Sequence, residues 1–156
     1  MLDDSQIGRR PVGVSVPVAR EVSYSLRDIS GIGPAMAGKL RTARIRTTRK
    51  LLEAASSAKG RKALAASTGL NERDILKAAN KVDLMRIKGI GEDFTELLCA
   101  AGVDTVRDLK HRNPANLAKA MRSVNKKRPK VQLVPSEATV ARWIERAKTL
   151  EILISY

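Results

Sequence analysis

Four aromatic residues, one cysteine and one histidine are all that this chain of 156 residues carries of those types, and each scarcity excludes a class of function. Tyr24, Phe94, Trp143 and Tyr156 are too few and too scattered to form the platform on which single-strand readers stack bases. Cys99 alone cannot close an internal disulfide, and Cys99 with His111 falls short of the roughly three or four ligands of a zinc site. No run approaches the roughly 20 apolar residues of a membrane span. The opening Met1-Leu2-Asp3-Asp4 lacks the basic and apolar regions of a signal peptide. A cytoplasmic chain with no membrane contact, no metal centre and no cofactor is the expectation.

Acidic residues are scarce as well: 16 Asp and Glu stand against 30 Lys and Arg, for a net charge of +14. Such a body repels itself and is most easily tolerated where a polyanion neutralises it, which makes nucleic acid the first candidate partner. A basic surface that only confers solubility is the alternative. Leu and Ala make up 36 residues, whereas aromatic and β-branched runs are rare, so the side chains that lose least rotamer freedom in a helix dominate. The fold class expected is all-α, as one domain or two small repeated units.

Sliding the sequence by 58 residues superposes 26–53 on 84–111 without a gap, and ten of the 28 pairs are identical. Ile29-Ser30-Gly31-Ile32-Gly33 falls on Ile87-Lys88-Gly89-Ile90-Gly91, followed by Leu40 on Leu98, Ala43 on Ala101 and Thr47 on Thr105. This is a tandem duplication. More loosely, Arg61 to Ser67 resembles Asn116 to Ser123, and Asn71-Glu72 corresponds to Ser136-Glu137 at an offset of 65. The seven extra residues are expected in a basic loop around Lys126-Lys127-Arg128-Pro129-Lys130. The units run 24–83 and 84–156. Residues 1–23 fit neither; Val12, Val14, Val16 and Val18 alternate as in an edge strand, and a flexible or extended tail is expected.

Punctuation repeats too. Ser25 and Asp83 are expected to cap short helices, Leu26 to Ile29 and Leu84 to Ile87, which Gly-Ile-Gly then stops. The next helix starts at Pro34 or Glu92, ends at Arg44 or Gly102, and is followed by a helix capped by Thr47 or Thr105. Asn71 and Ser136 cap longer helices whose buried faces carry Ile75, Ala79, Val82 and Val140, Ile144, Ala147.

Helix, Gly-apolar-Gly, helix is the pattern of the helix-hairpin-helix motif, in which glycines allow a tight reversal and the amides opening the second helix face an anion. The first copy, Gly31-Ile32-Gly33-Pro34-Ala35 with Lys39-Leu40 and Ile45-Arg46-Thr47, resembles the hairpins of family X DNA polymerases, bacterial DNA ligases and Holliday-junction branch-migration proteins. Over almost all of 24–150 the pairing is similar to an uncharacterised bacterial family of domains of unknown function built from two such units. The resemblance implies a tandem of SAM-like architecture and non-specific binding of minor-groove phosphates. It also implies a potassium or sodium ion held by turn carbonyls, here those of Arg27, Ile29 and Ile32.

The expected nucleic-acid-binding set is therefore the amides around Gly31, Ile32, Gly33 and Ala35, with Lys39, Arg41, Arg44, Arg46 and Arg49 around them. Residues 26–53 carry a net charge of +5, whereas 84–111 carry −1, because Glu92 and Asp93 open the second hairpin's helix. That copy is expected to be structural or to contact a protein; a second phosphate set would draw on Lys88, Gly89, Gly91, Lys126, Lys127 and Arg128. No clustered carboxylates and no partnered nucleophile point to catalysis. Binding of double-stranded or branched DNA leads. A protein-interaction adaptor working through the second unit or residues 1–23 is the alternative, and structured-RNA binding shares the phosphate chemistry.

Overall fold

Most of the helices begin where a short polar side chain supplies the acceptor that a first turn lacks. Thr47 accepts from the Lys50 N–H at 3.1 Å, Ser57 from Gly60 at 3.0 Å, and Asn71 from Arg73 at 2.7 Å. Thr105 accepts from Asp108 at 3.3 Å, Asn113 from Asn116 at 3.0 Å, and Ser136 from Thr139 at 3.2 Å. These caps punctuate a computed structural model that describes residues 22–29 and 31–156. Among the described residues it is all-α: a short 3-10 helix (Leu26–Asp28), then α1 (Pro34–Thr42), α2 (Thr48–Ala55), α3 (Ala58–Thr68), α4 (Glu72–Leu84), α5 (Glu92–Ala100), α6 (Val106–Lys110), α7 (Pro114–Lys127) and α8 (Glu137–Thr149). The valines at 12–18 lie outside the described residues.

Two apolar clusters hold these helices. The first gathers Leu26, Leu40, Leu51, Leu64, Ile75 and Met85; the second gathers Leu84, Ile90, Leu98, Leu117, Val140 and Trp143. The backbone bonds of the first half recur 58 residues later: Ile32 N–H to Ile29 O and Ile90 N–H to Ile87 O, then Ile45 N–H to Leu40 O and Val103 N–H to Leu98 O. Arg44 and Gly102 both take the left-handed conformation expected of helix ends, at φ 66° and 94°. Arg44 is the sole non-glycine with positive φ among the described residues.

Four local expectations are corrected. Asp83 opens no helix: it lies inside α4, buried, where its carboxylate accepts from Arg86 at 2.8 Å and from the Val106 N–H at 2.8 Å. The segment after Leu84 is a turn and not a second short helix, because that carboxylate is spent bracing α4 against α6. Ser25 precedes the 3-10 helix without a capping bond from its side chain. Lys126 and Lys127 form the last turn of α7 and not a loop; the chain leaves the helix at Arg128.

The C-terminal residues return to the first cluster. Ile154 is buried there, and the Ser155 N–H donates to Ser56 O at 2.8 Å. Arg61, only 5 % exposed, fastens this return by donating to Ala55 O, Ser56 O and Ser155 O at 2.9, 3.1 and 2.7 Å. Its buried charge is satisfied by these three carbonyl dipoles.

Candidate nucleic-acid interface

The first turn owes its shape to Gly33, which precedes α1 at φ 80°, a conformation strained for any side chain. Pro34 takes the first helical position, where its missing N–H leaves nothing unpaired. Ile32 is buried beneath the turn as expected, and no atom lies within 4 Å of where a Gly33 side chain would begin. The first α1 bond from outside the helix is Ala37 N–H to Gly33 O, and the amides of Ala35 and Met36 have no partner among the described residues.

The expected amide set narrows here. The Ile32 N–H is spent on Ile29 O at 3.2 Å, inside the turn. The Gly31 N–H donates to the carboxylate of Glu92, which reaches across from the start of α5. Lys81 of α4 sits behind this contact, 3.7 Å from Glu92 and 3.5 Å from Glu96. An acid from one half of the chain thus sits on the backbone of the other half's turn. Of the named amides, Gly33 and Ala35 meet no acceptor among the described residues. Of the three carbonyls named for a monovalent ion, that of Ile29 already accepts from Ile32.

The basic residues separate into places. Arg41 and Arg46 line one recess of about 500 Å³ together with Arg27, and Pro34, Ala37 and Ile45 form its apolar wall. None of the residues lining it is acidic. Lys39 is exposed on α1, one helical turn beyond Ala35 on the same face. Arg44 is exposed at the far end of α1. Arg49, on α2, belongs to a different groove, shared with Glu53, Arg86 and Glu151. Sequence reasoning passed over the side chain of Arg27 and the whole of Lys81, since nothing local marks either.

The second turn has a different backbone. Its positive φ is at Gly89, 98°, whereas Gly91 has φ −91°. Glu92 and Asp93 occupy the first turn of α5, yet the Glu92 side chain turns away to Gly31. Lys130 lines a recess beside Gly89 and Gly91; Lys126, Lys127 and Arg128 do not. Lys130 is placed by Asn125, whose Oδ1 accepts from the Lys130 and Val131 amides at 2.7 and 3.1 Å. Among the described residues no group of three or more His, Cys, Asp or Glu could hold a metal, and no helix is long and apolar enough to cross a membrane.

Fold and turns together define an all-helical protein with an internal repeat and a basic, acid-free recess at the first turn. Residues 30–150 match a family described as a domain of unknown function, DUF4332, and the chain belongs to that family. Neither the curated proteins nor the solved structures contain a match.

Proposed function

We propose that this protein binds duplex or branched DNA without sequence preference, through a helix-hairpin-helix turn at residues 29–35 backed by Arg/Lys side chains. The observation that carries the reading is the convergence of Arg27, Arg41 and Arg46 on one recess beside the open end of α1, with no acid lining it. Phosphates along a strand meet the guanidiniums of Arg27, Arg41 and Arg46 in the recess and, next to it at the positive end of α1, the Gly33 and Ala35 amides. Backbone donors carry no base information, so binding is sequence-independent. The role is one of binding and not catalysis, exercised in the cytoplasm at the nucleoid.

Titration of labelled duplex, junction, single-strand and RNA probes at several salt concentrations tests this. With roughly four to seven phosphate contacts the log–log slope for duplex is expected near −4 to −6. Lys39→Glu should weaken duplex binding with helicity unchanged, because a like charge then stands beside the phosphate. Salt-independent affinity, a strong preference for one sequence, or full affinity in folded Lys39→Glu would each refute the reading.

A further inference from the structure

The Glu92 contact is an internal template, and the second half of the chain carries the matching glycine and cation without a carboxylate between them. In the first half, a turn glycine (Gly31) and a lysine of the following long helix (Lys81) receive an acid together. The corresponding residues of the second half, at offsets of 58 and 65, are Gly89 and Arg146. Both line one open groove of about 1070 Å³ between the second turn, the start of α5 and α8. The Gly89 amide meets no acceptor among the described residues, and neither Lys88 nor Arg146 has an acidic partner there. Glu145 is the one acid lining the groove, and it is bound to Lys148 at 2.9 Å.

This groove also differs from a phosphate site in having an apolar bed. Phe94 and Trp143 pack at a ring distance of 5.3 Å along it, and Leu133 stands 83 % exposed at its rim. A nucleic-acid backbone has nothing to lay on such a surface, whereas an acidic peptide with an apolar side chain satisfies both halves of it. We propose that the groove over the second turn is a docking site for an acidic, partly apolar peptide segment of a partner protein. A carboxylate of that segment binds Gly89 N–H and Arg146 as Glu92 binds Gly31 N–H and Lys81, and an apolar side chain lies against Leu133 and Phe94, whose ring packs on the buried Trp143. The first half does not supply this acid by the same symmetry, because the residue matching Glu92 there is Pro34.

The site is independent of the DNA reading, and its first test uses peptides alone. The full chain is titrated with a fluorescein-labelled peptide of alternating Glu and Leu, and with its Gln-for-Glu twin. Peptide anisotropy and the emission of Trp143, the sole tryptophan, are both followed. The Glu peptide is expected to bind and shift Trp143 emission, the Gln twin to bind at least tenfold more weakly, and Arg146→Glu to lose tenfold or more. Leu133→Ser should weaken binding severalfold, and Lys39→Glu should leave it unchanged. Because Leu133 and Arg146 are exposed, unchanged helicity is expected in both variants and is checked by circular dichroism. Equal binding of the two peptides, no binding to the wild-type chain, or full affinity in folded Arg146→Glu overturns the proposal. So does a duplex that shifts Trp143 emission and loses that effect in Arg146→Glu, which would make the groove a nucleic-acid site.

Discussion

Replacing Glu92 by Ala should move stability and DNA affinity in opposite directions. Its carboxylate accepts the Gly31 N–H and stands 3.7 Å from Lys81 Nζ, with both side chains less than one-fifth exposed. Charge-assisted bonds in such a setting contribute about 1.5–3 kcal/mol, and Lys81 keeps Glu96 at 3.5 Å, so the loss should fall near the lower end. Urea unfolding should therefore show a destabilisation of about 1–2 kcal/mol. At the same time the Gly31 amide and part of the Lys81 charge become available beside the first turn. One added phosphate contact there contributes about 1 kcal/mol, or roughly fivefold in duplex affinity, and steepens the log–log salt slope by about 1. Glu92→Gln separates the two terms: its amide oxygen can still take the Gly31 N–H, so it should gain less affinity than Glu92→Ala while losing less stability. A destabilised Glu92→Ala with unaltered duplex affinity and slope would show that Gly31 does not face DNA. A variant that loses no stability would refute the bridging contact itself.

Asp83→Ala removes the carboxylate facing the buried Arg86, which keeps Glu151 O at 2.9 Å, and leaves the Val106 amide without that acceptor; it should cost about 3–5 kcal/mol in urea unfolding, and a cost under 1 kcal/mol would refute the bracing role. Arg44→Gly relieves a left-handed residue at φ 66° and should stabilise by about 0.5–1 kcal/mol, read as a higher Tm, while weakening duplex binding through the lost charge. Although Cys99 is exposed as a residue, desolvation of its sulfur and the facing Asp104 push the thiol up to about 11. Thiolate is then rare near neutrality, and after allowing for its greater nucleophilicity, alkylation at about pH 8 should run roughly tenfold slower than for free cysteine and rise through pH 11.

The sequence by itself determined everything that depends on neighbours within a turn or two of the chain. Thr47, Asn71, Thr105 and Ser136 cap because an oxygen on a short side chain reaches an amide two or three residues on, whatever surrounds it. Gly102 and Arg44 end their helices in the left-handed state for an equally local reason, and Ile32 and Ile90 are buried because each is the apolar residue of a tight turn. Tertiary structure decided the rest. Asp83 reads as a helix cap, yet it serves Val106, 23 residues away, because α4 runs through the expected boundary and carries the carboxylate into the core. Glu92 reads as an acid guarding its own helix start, but packing brings Gly31, 61 residues distant, within its reach, and a half-buried carboxylate takes the best donors available. The two Gly-Ile-Gly turns, alike in letters, place their positive φ at different glycines, since glycine accepts either hand and only what packs around it chooses.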